Sequence, residues 1–101
     1  MAEYLLTPLA VDDLNEIWNY TVEKWSEEQA DKYYGMLVDL FEKLAEEPDL
    51  GRRYDLIRKG LMGMKAGRHV IFYQFRRTGV IEIIRILHEE MDLESRLTDP
   101  S

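Results

Sequence analysis

Residues 68–75 read Arg-His-Val-Ile-Phe-Tyr-Gln-Phe, and this run of β-branched and aromatic side chains predicts a strand. Residues 76–79, Arg-Arg-Thr-Gly, follow as a turn, and residues 80–88, Val-Ile-Glu-Ile-Ile-Arg-Ile-Leu-His, have the composition of its hairpin partner. A shorter strand is predicted near Leu61–Lys65, between glycines that punctuate the segment. The second half of the chain is therefore predicted to form three consecutive antiparallel strands.

Two amphipathic helices are predicted upstream of these strands, after a short strand at Tyr4–Leu6. Thr7-Pro8 combines an N-cap residue with a proline at the first helical position, and Ser26-Glu27-Glu28-Gln29 matches a capping box. Apolar residues, whose aromatic members we expect in the core, recur at spacings of three and four: Leu14, Ile17, Trp18, Thr21, Val22 and Trp25, then Ala30, Tyr33, Tyr34, Leu37, Leu40, Phe41 and Leu44. Pro48 ends the second helix, so the two helices form an antiparallel hairpin with a very short connection.

The element order is strand, helix, helix, strand, strand, strand, which predicts an α+β fold. The helical hairpin is expected to pack on one face of a small, mainly antiparallel sheet. At 101 residues the chain is expected to be a single domain spanning residues 1–101, in which residues 89–101 form a polar C-terminal tail.

Alternation along the two long strands places mainly apolar residues on both faces of the sheet. In residues 80–88, strict alternation separates Ile81, Ile83, Arg85 and Leu87 from Val80, Glu82, Ile84, Ile86 and His88. Two helices cover only one face, so the second face is expected to leave apolar area exposed to solvent. We expect a partner protein on that face, and self-association is the simpler explanation left open.

Charge is divided unequally along the chain, whose net charge is −7. Residues 1–50 carry 13 acidic and 3 basic side chains, whereas residues 52–88 carry 9 basic and 2 acidic ones. The acidic pairs Asp12-Asp13 and Glu27-Glu28 lie near helix starts, where we expect them to interact favourably with the helix dipole. The two halves either neutralise each other across their packing interface or leave a basic surface for an acidic partner. The overall acidity argues against tight binding to nucleic acid.

Location is predicted from what the sequence lacks. No run approaches the roughly 18 apolar residues of a membrane span, and the start, Met1-Ala2-Glu3-Tyr4, lacks the basic and apolar regions of a signal peptide. Cysteine is absent, which fits a reducing compartment. We therefore expect a cytoplasmic protein without membrane contact.

Candidate reactive side chains are few. His69 and His88 are the only histidines, so neither a metal site nor a cofactor is expected. His69 is expected to be structural, whereas the role of His88 at a strand end is left open. Arg68 and Arg85 either pair with Glu82 or a helix carboxylate, or face a carboxylate of a partner.

Five groups of residues carry a family resemblance over nearly the whole chain. They are Leu6-Thr7-Pro8 with Ala10, Asp13-Leu14 and Ile17-Trp18-Asn19-Tyr20; Gln29-Ala30 with Tyr33; Gly67-Arg68-His69-Val70-Ile71-Phe72-Tyr73; Glu82-Ile83-Ile84-Arg85-Ile86-Leu87-His88; and Met91-Asp92. In this order and spacing the chain resembles the ParE branch of the RelE/ParE toxin superfamily of bacteria.

The resemblance implies the toxin component of a type II toxin–antitoxin system that stabilises a plasmid or chromosome. It implies neutralisation by direct binding of a ParD-like antitoxin in a hetero-oligomer. It also implies inhibition of DNA gyrase, and so of replication and growth, by a protein that is not an enzyme and does not bind nucleic acid directly.

Two alternatives remain at this point. The RelE branch cuts messenger RNA on the ribosome with several basic residues and a tyrosine near the C-terminus. Arg68 matches one of those basic residues, but His88-Glu89-Glu90 is acidic and no tyrosine follows Tyr73, so ribonuclease activity is not expected. The other alternative is an antitoxin-binding protein with weak or no toxicity, because Met62 and Glu90 stand where family members commonly have basic residues.

The resemblance and the charge pattern together predict where partners bind. We expect the antitoxin to contact the basic sheet half of residues 52–88. The side chains predicted to bind it are Arg58, Arg68, Tyr73, Phe75, Arg85 and Leu87. The side chains predicted to contact the target are His88, Met91 and Arg96, and no catalytic residue is predicted.

Overall fold

The computed structural model describes residues 2–90 and Leu97, and it confirms the predicted α+β order. The elements are β1 (Glu3–Leu6), α1 (Pro8–Lys24), α2 (Glu27–Glu46), β2 (Arg52–Arg53), β3 (Met62–Ala66), β4 (His69–Arg77) and β5 (Val80–His88). A single 3-10 turn at Pro48–Leu50 follows α2. The two-residue strand β2 was not predicted, because two consecutive arginines carry no strand signal.

Both helices begin at the residues that the capping patterns predict. The Thr7 hydroxyl accepts the backbone N–H of Ala10 at 3.1 Å and also donates to the carbonyl oxygen of Ile84 at 2.7 Å. The Ser26 hydroxyl accepts the backbone N–H of Gln29 at 3.0 Å. Thr7 therefore caps the N-terminus of α1 and also attaches it to the sheet.

The sheet has the strand order β1-β5-β4-β3-β2. β1 pairs with β5 in parallel, from Glu3 opposite Val80 to Leu6 opposite Ile83, whereas all the other pairs are antiparallel. Because β1 pairs only as far as Ile83, the remainder of this edge of β5 is left for α1. The N-terminal strand thus closes one side of the sheet and delivers α1 to it.

A β-bulge in β5 changes which residues face the helices. Phe72 lies opposite Arg85 and Tyr73 lies opposite Ile83, so one residue, Ile84, is inserted between these pairs. The strict alternation predicted for residues 80–88 is therefore wrong beyond Ile84. Ile86 joins Ile81 and Ile83 on the helix side, and Ile84 joins Leu87 on the other side.

The main core lies between the helical hairpin and the sheet. It combines helix residues with strand residues that are almost fully buried, among them Ala10, Leu14, Leu37, Phe41, Leu44, Ile71, Tyr73, Ile81, Ile83 and Ile86. Two predicted core residues are misplaced: Tyr34 on α2 is 42% exposed, and Trp25, which caps the C-terminus of α1, is 75% exposed. The helix ends before Trp25 completes another turn, so its side chain leaves the apolar stripe.

A second, smaller core covers the centre of the other sheet face. It consists of Leu61, Val70, Phe72, Ile84, Leu87 and Leu97, with Tyr54 and Ile57 packed against it. The prediction that this face leaves apolar area exposed is wrong for its centre, because the segment between β2 and β3 and the Leu97 side chain cover it. Apolar exposure on β4 is displaced to Phe75, which is 59% exposed near the end of the strand.

Candidate partner-binding site

A buried ion pair joins α1 to the far end of β5. The carboxylate of Asp13 accepts the Arg85 Nε–H at 2.8 Å through Oδ2 and the Nη2–H at 2.9 Å through Oδ1. The same Oδ2 accepts the backbone N–H of Ile86 at 3.0 Å, and the side chains of Asp13 and Arg85 are 8% and 15% exposed. Asp13 therefore replaces a strand partner along the edge that β1 leaves open.

This geometry decides between the roles that the sequence left open for Arg85. Its guanidinium group is held in bidentate geometry by a helix carboxylate, which is the intramolecular alternative. Asp13 is correspondingly a core ion-pair partner rather than a side chain that interacts with the helix dipole. The pair positions β5 and is mostly withdrawn from the surface.

Tyr33, His69 and His88 meet at the end of the sheet where β4 begins and β5 ends. The Tyr33 hydroxyl lies 2.7 Å from His69 Nδ1, 3.1 Å from the Ala66 carbonyl oxygen and 3.1 Å from the backbone nitrogen of Arg68. A carbonyl oxygen can only accept, so the Tyr33 hydroxyl donates its hydrogen to Ala66. The Tyr33 oxygen then accepts the backbone N–H of Arg68 and the Nδ1–H of His69, which satisfies all three contacts. His69 is then left with Nε2 as its acceptor.

The partner ring has the complementary arrangement. The backbone N–H of Glu90 donates to His88 Nδ1 at 3.1 Å, so neutral His88 carries its proton on Nε2. The two rings lie edge to face with centroids 5.4 Å apart. Burial, and to a smaller extent the nearby His88, lowers the pKa of His69 to about 4, so His69 is neutral near pH 7.

Charged groups surround the exposed side of this histidine pair. Lys65 Nζ lies 3.0 Å from a carboxylate oxygen of Glu89, whose pKa is lowered by that contact.

Arg68 lies at the turn between β3 and β4, where Gly67 has a φ of +59° and leaves room for the Tyr33 ring. A Cβ at that glycine would lie 2.7 Å from the Tyr33 hydroxyl, so the close approach needs glycine as well. Arg68 is thereby held at an exposed corner of the sheet.

The structure divides the residues predicted to bind an antitoxin into an exposed and a buried group. Arg58, Arg68 and Phe75 are exposed. Tyr73 and Leu87 are buried in the two cores, and Arg85 is held by Asp13. A role for Tyr73 and Leu87 at the surface of this conformation is therefore wrong, because alternation alone does not reveal which layers cover a strand.

Tyr73 has a structural role that occupies its hydroxyl group. The hydroxyl donates to the Pro48 carbonyl oxygen at 2.7 Å and accepts the backbone N–H of Gly51 at 2.9 Å. A Cβ at Gly51 would lie 2.5 Å from this oxygen, so the chain after α2 approaches too closely for any side chain there. Burial raises the pKa of Tyr73, which keeps the phenol protonated as a donor.

The residues predicted to contact the target are only partly described. His88 is half-buried beside His69, with Nδ1 engaged by Glu90. Met91 and Arg96 lie outside the described residues. Within residues 2–90 and Leu97, no group of three or more His, Asp or Glu side chains is placed to hold a metal ion, and neither helix is long and apolar enough to cross a membrane.

The family model for the ParE toxin of the parDE type II toxin–antitoxin system matches residues 4–93, a range that includes both helices and strands β2 to β5. The chain belongs to the ParE toxin family. Toxin ParE1 of Mycobacterium tuberculosis (strain H37Rv) is 38% identical over 96 residues, covering 95% of this chain and 98% of its relative. Toxin ParE1 of Caulobacter vibrioides is 39% identical over 98 residues, covering 96% and 99%. The resemblance found in the five groups of residues is thus confirmed.

Two further comparisons extend the ParE likeness. Toxin ParE of Escherichia coli is 32% identical over 103 residues, covering 98% of this chain and 96% of that protein. A solved structure of a chromosomal ParDE TA system from P. aeruginosa superposes with a TM-score of 0.75 at 21% identity, covering 89% of this chain and 98% of the solved one. At that identity the superposition supports the shared fold.

One surface of this ParE-family chain was missed at the sequence level. Leu56 lies in the segment between β2 and β3 and is fully exposed, with a relative accessibility of 105%. The sequence shows two adjacent apolar residues, Leu56 and Ile57, in a short non-strand segment rich in arginine and lysine. No local pattern predicts that Leu56 is exposed while Ile57 is half-buried.

Proposed function

We propose that this ParE-family toxin is neutralised by a ParD-like antitoxin and that, when free, it inhibits DNA gyrase by binding rather than by catalysis. The observation that carries the proposal is the family match over residues 4–93, which includes every element that positions the surface described above. The toxin acts in the cytoplasm, where gyrase and the antitoxin are available to it.

The exposed basic and aromatic groups of the sheet half support an antitoxin surface. Arg68 and Phe75 lie at opposite ends of β4, and Arg58 lies on the segment between β2 and β3. An acidic, amphipathic antitoxin segment matches such a surface, because carboxylates pair with arginine while apolar side chains cover the phenylalanine. The solved ParDE system of P. aeruginosa has the same fold, which supports an antitoxin as the partner class.

The geometry around the two histidines supports binding in place of RNA cleavage. His69 Nδ1 is committed to Tyr33, and His88 Nδ1 is committed to the backbone of Glu90. Glu89 and Glu90 add negative charge directly after β5, which opposes the approach of a scissile phosphate. Cleavage of a phosphodiester instead needs cations at the developing charge and a group that is free to move a proton.

The gyrase proposal is tested with purified toxin, purified gyrase and relaxed plasmid. We expect loss of supercoiling at a stoichiometric excess of toxin, and restoration when a ParD-like antitoxin is added first. Full supercoiling activity under these conditions would exclude gyrase as the target. A parallel translation reaction measures reporter messenger RNA; cleavage there would favour the ribonuclease alternative, and intact messenger RNA is expected.

The antitoxin surface is tested by binding measurements with the same ParD-like protein. We expect Arg68→Glu and Phe75→Ser each to weaken binding about tenfold or more, as loss of a central charged or aromatic contact does. The matched control is Tyr20→Ser, which removes an equally exposed aromatic side chain from α1, in the other half of the chain. Equal effects of all three variants would show that the sheet half is not the specific surface.

A further inference from the structure

The segment between β2 and β3 is a closed loop held by its own hydrogen bonds. The backbone N–H of Tyr54 donates to the Leu61 carbonyl at 2.8 Å, which joins the two ends of the loop. The N–H groups of Ile57 and Arg58 both donate to the Tyr54 carbonyl, at 3.0 and 3.1 Å, and Leu61 N–H donates to the Arg58 carbonyl at 3.0 Å. These bonds fix the backbone of residues 54–61, which we term the basic loop.

Two contacts attach the basic loop to the sheet. The Tyr54 ring packs edge to face on Phe72 with centroids 5.2 Å apart, and it occupies space that Gly63 leaves free. A Cβ at Gly63 would lie 2.6 Å from the Tyr54 ring, so this packing requires the glycine. Leu61 belongs to the second core and Tyr54 packs against it, so both ends of the loop are anchored and its tip projects from a rigid base.

Leu56 lies at this tip with its whole side chain in solvent. Its neighbour Ile57 packs against the second core, so the loop is attached to the sheet without any contribution from Leu56. Because its backbone is already ordered, Leu56 loses little further backbone freedom on binding, which lowers the entropic cost of burying it at an interface. The exposed leucine therefore contributes to no interior contact of the free chain, and it can contribute to an interface.

The charges around Leu56 specify the chemistry of the surface that receives it. The acidic residue of the loop, Asp55, is paired with Arg53, whose Nε–H donates to Oδ2 at 2.9 Å, and its Oδ1 accepts the backbone N–H of Gly60 at 3.0 Å. Arg58 and Lys59 are exposed beside the leucine, and in the described part of the chain no carboxylate pairs with either. The tip thus presents one apolar side chain within a cationic rim.

We propose that Leu56 is the anchor by which the toxin docks on its cellular target, a folded protein with an apolar pocket rimmed by carboxylates. A projecting side chain needs a concave receptor, and a pocket requires a folded partner; a disordered antitoxin segment supplies strands or helices that lie in grooves. The inference rests on the proposed function as a toxin. It also gives a route to neutralisation, because an antitoxin bound at Arg58 covers the adjacent leucine.

The experiment compares Leu56→Ser, Leu56→Met and the control Tyr20→Ser in the full-length chain. Each variant is induced in bacteria without antitoxin, viable counts are followed, and its affinity for the ParD-like antitoxin is measured in solution. Leu56→Ser is expected to reduce toxicity about tenfold to hundredfold, the factor that burial of one leucine side chain provides. Leu56→Met conserves volume and should keep most of the toxicity, and Tyr20→Ser should keep all of it.

Three results would overturn the inference. Wild-type toxicity of Leu56→Ser would show that the target does not receive Leu56. Weaker antitoxin binding by Leu56→Ser together with wild-type toxicity would identify the loop tip as an antitoxin surface instead. Absence of growth arrest by the wild-type chain would remove the proposed toxin function and this inference with it, a failure that is distinct from the first two. Leu56 makes no interior contact, so Leu56→Ser should fold normally. An unchanged circular dichroism spectrum of the variant would exclude misfolding as the cause of lost toxicity.

Discussion

Replacing Asp13 with alanine tests the claim that one ion pair fixes α1 to the open edge of β5. The substitution removes two hydrogen bonds to Arg85 and one to the backbone N–H of Ile86. It leaves a guanidinium group whose side chain is only 15% exposed without its bidentate acceptor, and a buried N–H without the oxygen that now accepts it. Water reaches neither group easily.

The expected cost follows from this burial. Removing one partner of a buried ion pair destabilises a protein by about 3–5 kcal/mol, because the remaining charge is poorly solvated. The whole stability of a domain of this size is only about 5–15 kcal/mol. We therefore expect Asp13→Ala to unfold at much lower urea concentration and to lower the melting temperature by at least roughly 12 °C.

The assay is urea unfolding followed by far-ultraviolet circular dichroism for the wild type, Asp13→Ala, Arg85→Ala and the double variant. The cycle of four proteins cancels whatever else each side chain contacts and isolates the interaction between the two. Arg85→Ala should also destabilise, and the double variant should lose about 1–3 kcal/mol less than the sum of the single losses.

The refuting results are specific. A loss below about 1 kcal/mol for Asp13→Ala would place the pair among exposed ion pairs, which contribute little. Additive losses would show that the two side chains stabilise the fold independently. An altered dependence of the unfolding free energy on urea concentration would mean that the compactness of the unfolded or native state has changed, or that unfolding is no longer two-state, so the loss could not be assigned to the ion pair.

Three further predictions concern stability. Because the pKa of His69 is about 4 in the folded chain against 6.5 as its ordinary value, the unfolded state takes up the proton first as pH falls. The contribution of His69 to stability should be complete above pH 6.5. It should decline toward pH 4 by less than about 1.4 kcal/mol per pH unit, since the ring is partly solvated. Urea titrations should show a flatter decline of the unfolding free energy with pH for His69→Gln, and an equally steep decline would contradict the lowered pKa of His69. Gly51→Ala should destabilise the protein by about 1–3 kcal/mol, because its methyl group would overpack the buried hydroxyl of Tyr73. Gly35→Ala on α2 should stabilise by about 0.5–1 kcal/mol, because its methyl group meets nothing within 4 Å. Thermal melts in which Gly51→Ala is the more stable variant would contradict this. Thr7→Ala should cost more than Ser26→Ala, for which about 1 kcal/mol is expected, because only the Thr7 hydroxyl also bonds the sheet; equal costs in urea titrations would show that this bond is negligible.

Local patterns predicted the secondary structure because the interactions that decide it lie within a few residues. Thr7 and Ser26 show this at the helix starts, where the capping side chain and the N–H it accepts are three residues apart. The strand hairpin of residues 69–88 follows from β-branched and aromatic composition and from a turn at Gly79, whose φ is +79°. The family resemblance rested on the same segments, and it was confirmed over residues 4–93.

The candidate site was predicted less well, because exposure depends on what covers each strand. Tyr73 and Leu87 satisfy the alternation rule for a sheet face, but the helical hairpin covers one and the second core covers the other. The bulge at Ile84 then reverses the faces of residues beyond it, and no local signal in a run of isoleucines marks where the extra residue falls. Arg58, Arg68 and Phe75 remained exposed because they lie in a loop, at a turn and near a strand end.

By itself, then, the sequence determined the order of elements, the helix starts, the unequal charge of the two halves and the toxin family. Tertiary structure alone decided that Asp13 meets Arg85 across 72 residues, that Trp25 leaves the core and that Leu56 projects while the half-buried Ile57 packs against the second core. The physical reason is range: capping, periodicity and turn preference act between near neighbours in the chain. Burial and ion pairing act between groups that only the packed helices and sheet bring together.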